Sequence, residues 1–177
     1  MKRKSLLLLF VCLTLLAHAV KVNVTNAVDF VNPLVGSDSN PELSTGNTYP
    51  AIAMPWGMNF WVPQTGKIGD GWQYTYSAKK IRGLKQTHQP SPWINDYGQF
   101  SLLPTVGKPV FDEAKRASWF SHKAEKAIPY YYSVYLADYD VTAELCPTER
   151  AALMAFTFPK TDQANVVIDA FDKGSCI

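Results

Sequence analysis

The sequence predicts an all-β protein, an antiparallel β-sandwich, on three observations. Four segments rich in β-branched and aromatic residues follow one another over residues 130–136, 141–146, 151–158 and 164–171. Turn chemistry separates them: Ala137-Asp138-Tyr139-Asp140, then Pro147-Thr148, then Pro159-Lys160-Thr161-Asp162. No gap between them can hold a crossover helix, so residues 130–171 are expected to form consecutive antiparallel hairpins.

The amino terminus reads as an export signal. Lys2, Arg3 and Lys4 precede an apolar run over residues 6–16 interrupted only by Thr14, and Ala17-His18-Ala19 places small residues where signal peptidase reads. Residues 1–19 are therefore expected to be a signal peptide, and residues 20–177 a single domain found outside the cytoplasm, secreted or periplasmic. The run falls short of the roughly 20 residues needed to cross a bilayer, and no later segment approaches that length. Phe10 and Val11 before Cys12 do not fit a lipidation signal.

Cleavage after Ala19 removes three of the 17 basic residues and leaves 14 against 15 acidic ones, a net charge of −1. No basic cluster remains to serve as a footprint for nucleic acid. Cys146 and Cys176 are expected to be buried and free, although one disulfide between them is possible in an oxidising compartment. With only His88 and His122 left, and neither a CxxC nor an HExxH, a histidine-rich zinc site is excluded.

The first half has a different texture. Residues 32–104 carry most of the Gly, Pro, Asn and Ser, with Trp56, Trp61, Trp72 and Trp93 among them, which reads as long loops of the kind that serve a site. Residues 112–126 hold the one segment with helical character. The chain stops at Ile177 just after a strand, which reads as an interrupted domain.

Several blocks resemble glycoside hydrolase family 92. They are Phe30-Val31-Asn32-Pro33-Leu34-Val35-Gly36, Gly46-Asn47-Thr48-Tyr49-Pro50, Met54-Pro55-Trp56-Gly57-Met58, the run from Ile81-Arg82-Gly83-Leu84 through His88-Gln89-Pro90-Ser91-Pro92-Trp93 to Asp96-Tyr97-Gly98-Gln99-Phe100, and Tyr130-Tyr131-Tyr132-Ser133-Val134 with Ala143-Glu144-Leu145-Cys146-Pro147-Thr148-Glu149-Arg150. The resemblance covers residues 28–171. It implies a calcium-dependent, inverting exo-α-mannosidase, commonly α-1,2-specific, in which an amino-terminal β-sandwich precedes a large (α/α)6 barrel. The family keeps its general acid, its general base and most calcium ligands in the barrel, so this chain is expected to be a truncated amino-terminal domain with no catalytic residue and no bound calcium of its own. The partners the resemblance implies are a mannose-containing glycan and the barrel. A free-standing, non-catalytic carbohydrate-binding sandwich is the alternative.

Residues 69–100 combine aromatic faces with hydrogen-bonding side chains, the chemistry that holds a sugar: a ring stacks on the C–H face of a pyranose while polar groups pair with its hydroxyls. Trp72, in Gly69-Asp70-Gly71-Trp72, is either a stacking ring or a half-buried core tryptophan. His88, beside Thr87 and Gln89, is either a hydroxyl partner or a satisfied core histidine. Trp93, after Pro90-Ser91-Pro92, either stacks on sugar or braces its loop. Asp96, ahead of Tyr97 and Gly98, reads as a turn carboxylate as readily as a sugar ligand. The substrate-binding candidates are thus Trp72, His88, Gln89, Trp93 and Asp96.

Other features read as structural. The Gly46 block reads as a tight backbone passage without the lysine of a phosphate loop. Asp138 and Asp140 read as turn residues, and strand alternation makes Glu144 a solvated surface carboxylate. Asn23-Val24-Thr25 matches a glycosylation sequon, a pattern short enough to arise by chance.

Overall fold

A computed structural model describes residues 26–39, 42, 46, 48–67, 73–87 and 100–170. The described strands are β1 (Phe60–Gln64), β2 (Lys80–Ile81), β3 (Gly83–Thr87), β4 (Phe100–Val106), β5 (Ser118–Trp119), β6 (Glu125–Ile128), β7 (Tyr131–Leu136), β8 (Val141–Pro147), β9 (Ala152–Thr157) and β10 (Ala164–Ala170). One helical turn, α1 (Glu113–Arg116), and 3-10 turns at Ala27–Phe30 and His122–Ala124 complete the regular structure. Every pairing among them is antiparallel.

Two four-stranded sheets, ordered β1-β3-β4-β10 and β6-β7-β8-β9, face one another, with the short β2-β5 pair beside them. One apolar cluster draws on both: Trp61 and Leu84 from the first sheet, and Tyr132, Val134, Leu136, Val141, Ala143 and Leu145 from the second. The second sheet shows why its strands were legible. In β7, Tyr132, Val134 and Leu136 are buried while the intervening residues are not, and in β8 the same holds for Val141, Ala143 and Leu145.

In the first sheet, β1 and β3 are covered on both faces. Trp61 points into the main cluster, whereas the next residue, Val62, packs with Tyr49 and Tyr74 and against Leu34 and Ala51 of the opening segment. Residues 32–104, expected to be loops, therefore contain β1, β2, β3 and the start of β4. Strands buried on both faces lose the polar–apolar alternation by which strands are recognised.

Three further expectations are corrected. Strands β7, β8 and β9 form consecutive hairpins, but β10 does not pair with β9; it crosses to the first sheet and pairs with β4. The six connecting residues, 158–163, can reach about 20 Å, twice the roughly 10 Å between stacked sheets. The far end is caught where Gly107 N–H donates to Gln163 O and Asn165 Nδ2 donates to Gly107 O. Cys146 is free but exposed, because its parity in β8 places it opposite Leu145; Cys176 lies outside the described residues. Glu144 is not simply solvated, since the Tyr131 hydroxyl donates to it and that hydrogen bond pushes the hydroxyl's pKa up.

The helical character of 112–126 is confined to α1 and the 3-10 turn at His122–Ala124. Asp112 accepts from Ala114 N and Lys115 N, both at 3.0 Å, as the N-cap of α1.

Candidate functional site

The opening segment forms two shallow depressions on the surface. One, of about 300 Å³, is lined by Val31, Asn32, Pro33, Val35, Thr48 and Tyr49 among others. The second, of about 310 Å³, lies between Asn32, Ser37, Asp38 and Tyr76. The backbone crossing beneath them is tight, as the Gly46 block suggested. Thr48 N–H donates to Gly36 O and Thr48 Oγ1 to Val35 O at 2.8 Å. Gly46 sits at φ 144° and Gly36 at φ 78°. A Cβ at position 46 would lie 2.7 Å from Gly36 Cα, a backbone atom that cannot step aside. Gly46→Ala is therefore expected to destabilise the domain by about 1 to 3 kcal/mol, read as a lower denaturation midpoint.

Behind Tyr76 lies the most elaborate polar group among the described residues. The side chain of Glu125 is fully buried. Its carboxylate accepts from Tyr132 OH at 2.6 Å, from Tyr74 OH at 3.3 Å to each oxygen, and faces His122 Nδ1 at 2.5 Å. Burial, then the charge and hydrogen bond of Glu125, push the hydroxyl pKa values of Tyr74 and Tyr132 far above the usual tyrosine range. The His122 ring stacks on Tyr76, with centroids 3.9 Å apart and planes at 4°. Sequence reading mentioned His122 only to exclude zinc and passed over Glu125; their i,i+3 spacing was the available signal.

A second buried charge lies under the first sheet. Arg116, at the end of α1, is 1 % exposed; it pairs with Asp169 of β10 and donates to Phe111 O. Tyr139 OH donates to Arg116 O at 2.8 Å. Asp138 does more than turn the chain, accepting from Trp119 N at 3.0 Å and so tying the β7–β8 turn to β5.

Trp72, His88, Gln89, Trp93 and Asp96 lie outside the described residues, as do Asn23 and Cys176. The structure does define the feet of the segments that carry the five candidates. Thr65 and Gly66 both donate to Gln73 O, which closes the chain behind the end of β1. Gln73 is itself buried, and its Oε1, like that of Gln64, has no hydrogen-bond partner among the described residues. The stretch holding His88, Gln89, Trp93 and Asp96 runs between Thr87 and Phe100, the facing ends of the paired strands β3 and β4. Thr87 is fixed by Tyr49, whose hydroxyl lies 3.3 Å from its Oγ1. Register places Gln64 opposite Gly83 and Phe60 opposite Thr87, so the two pairs of feet stand at opposite ends of the β1–β3 ladder.

Comparison with known proteins supplies the context. The family model described as the glycosyl hydrolase family 92 N-terminal domain matches residues 30–175. The solved structure of a family 92 inverting mannosidase from Bacteroides thetaiotaomicron VPI-5482 is similar with a TM-score of 0.75 and 51 % identity, over 80 % of this chain and 19 % of that one. A family 92 α-mannosidase from Bacteroides thetaiotaomicron follows with a TM-score of 0.72 and 33 % identity, over 81 % of this chain and 20 % of that one. An uncharacterized secreted glycosidase of Arthroderma benhamiae is 26 % identical over 137 residues, covering 73 % of this chain and 17 % of its own length. This chain thus spans no more than a fifth of the length of these relatives. The match over most of the chain, on an antiparallel sandwich of the kind the sequence predicted, places it in glycosyl hydrolase family 92, to whose N-terminal domain it belongs.

Proposed function

We propose that the chain is the substrate-framing amino-terminal domain of a secreted inverting α-mannosidase acting on mannose-containing glycans, with α-1,2 linkages as the expected substrate. The observation that carries this reading is the family match over residues 30–175, together with 51 % identity to a family 92 inverting mannosidase. Export is supported by the amino-terminal signal pattern and by the description of the Arthroderma benhamiae relative as secreted. An inverting glycosidase needs an acid and a base about 6.5 to 9.5 Å apart, and in this reading both belong to a barrel domain outside this chain. The described residues hold no group of three or more His, Cys, Asp or Glu that could hold a metal ion.

The domain's part is positional. Residues 68–72 and 88–99, which carry Trp72, His88, Gln89, Trp93 and Asp96, are bounded by residues that the sandwich pins, and in this reading their side chains orient a sugar toward the acid and base. The test is made in a full-length family member. Replacing the tryptophan aligned with Trp72 by Ala is expected to lower kcat/KM on mannosides about 5- to 150-fold, or about 1 to 3 kcal/mol, while the isolated 20–177 chain shows no turnover. Unchanged efficiency with a lowered melting temperature would make Trp72 a core residue, and turnover by the isolated chain would refute the division of labour.

A further inference from the structure

Hydrogen-bond arithmetic around His122 requires a proton that an ordinary neutral histidine beside a carboxylate does not have. His122 Nε2 lies 2.8 Å from the carbonyl oxygen of Tyr76. A carbonyl oxygen only accepts, so Nε2 carries a hydrogen. Nδ1 lies 2.5 Å from Glu125 Oε2, and the carboxylate oxygens of Glu125 already accept from Tyr132 and Tyr74. That contact needs a hydrogen too, either on the ring, as imidazolium against carboxylate, or on the carboxyl, with Nδ1 accepting. Both assignments hold the same number of protons, one more than neutral imidazole plus carboxylate.

We propose that this extra proton locks a pH-sensitive tether between β6 and residues 76–78, and that losing it slackens that segment. Without the proton a single ring hydrogen must serve two acceptors. If it stays on Nδ1, the Nε2 lone pair confronts the Tyr76 carbonyl; if it stays on Nε2, the Nδ1 lone pair confronts the buried carboxylate of Glu125. The second arrangement leaves a buried charge short of a donor, so the first prevails and the Tyr76 bond breaks.

Residues 73–75 are pinned independently, by Gln73 O accepting from Thr65 and Gly66, Thr75 N–H donating to Thr65 Oγ1 at 2.9 Å and Tyr74 OH donating to Glu125. Residues 76–78 are otherwise held by Tyr76 N–H to Ser37 O at 2.9 Å, Ser77 N–H to Asp38 Oδ1 at 2.9 Å and Ala78 N–H to Thr75 O at 3.0 Å. Other groups face the pair or its partners. Tyr76 comes from the segment itself, Tyr74 from the pinned residues before it, Tyr132 from β7, and Asp38 from the opening segment, where its charge acts on Tyr74. Phe120 closes the side, edge-on to the His122 ring at 5.2 Å. The His122 side chain is 25 % exposed, which gives the proton a path to water that Glu125, at 0 %, lacks. Tyr76 also walls the depression it shares with Asn32, Ser37 and Asp38, so the tether sets the shape of that surface.

Hydrogen exchange read by mass spectrometry on the full chain tests this. Between about pH 6 and about pH 9, after correction for base-catalysed exchange, protection of amides in residues 76–78 should fall about 10- to 100-fold, the equivalent of one charge-assisted hydrogen bond. Peptides from β8 should not follow. In His122→Gln, whose amide keeps a donor but does not titrate, residues 76–78 should show no such pH step. The same step in the variant, or no step in the native chain, overturns the proposal. Should the variant fail to fold, exchange of the His122 ring C2 proton in the native chain decides: its titration midpoint must coincide with that of the amides, and a separation of more than about one pH unit overturns the tether.

Discussion

Asp169→Ala is expected to destabilise the domain by about 3 to 5 kcal/mol, the cost of stranding a buried charge. Arg116 is 1 % exposed, and its charge faces Asp169, itself only 24 % exposed, across the gap between α1 and β10. Removing the carboxylate leaves the guanidinium with Phe111 O as its remaining hydrogen-bond partner among the described residues and only the charges of Glu113 and Asp112 to offset its own, while its Nε has no partner there. Against the 5 to 15 kcal/mol that a domain of this kind has in total, such a loss moves most of the way to unfolding. It is read from urea denaturation as a lower midpoint at unchanged slope. The double variant Arg116→Met with Asp169→Leu, which replaces the pair by apolar groups of similar size, should recover most of the loss. A single-variant cost below about 1 kcal/mol would mean that the pair is solvent-screened despite its burial. Position ties this to the proposed function. Asp169 lies opposite Ser101 and Ala170 opposite Phe100, so the ion pair braces the strand ends from which the 88–99 segment departs.

The contrast between the two sheets explains what the sequence could disclose. Strands β7 and β8 bury Tyr132, Val134, Leu136, Val141, Ala143 and Leu145 against alternating polar neighbours, a period-2 pattern that a reader finds without a structure. Strand β3, Gly83-Leu84-Lys85-Gln86-Thr87, buries four of its five residues, Lys85 among them, and shows no alternation. Its pattern follows from what covers it: the second sheet on one face and the opening segment on the other, packings made by residues far along the chain. The crossover of β10 was hidden for a related reason, since a six-residue connection suits a long hairpin as well as a change of sheet. Glu125 was passed over because its partners Tyr74 and Tyr132 stand 51 and 7 residues away, and only folding shows that they converge. Of the proposed sugar-binding set, the sequence supplied the residue chemistry and the structure supplies the anchors at Gln73, Thr87 and Phe100.

That convergence makes the domain fragile in alkali. Tyr74 and Tyr132 are held neutral by burial and by the Glu125 carboxylate that their hydroxyls face, so both ionise far above the usual tyrosine range while folded. In the unfolded chain they ionise near pH ~10. Below that pH both states bind these two protons and stability does not depend on them. Above it the unfolded state sheds both while the folded state keeps them, so stability falls as pH rises, by about 1.4 kcal/mol per pH unit for each tyrosine and about 2.7 for the pair. Urea-derived stabilities measured at steps from about pH 8 to about pH 12 should be flat with respect to these groups at first and then decline with that slope. Tyr132→Phe lowers the starting stability by removing the 2.6 Å bond to Glu125, yet it should halve the slope attributable to the pair. That opposition of effects separates titration from simple weakening of the core. A decline as steep in Tyr132→Phe as in the native chain would assign alkaline unfolding to other groups and remove the Glu125 cluster as its cause.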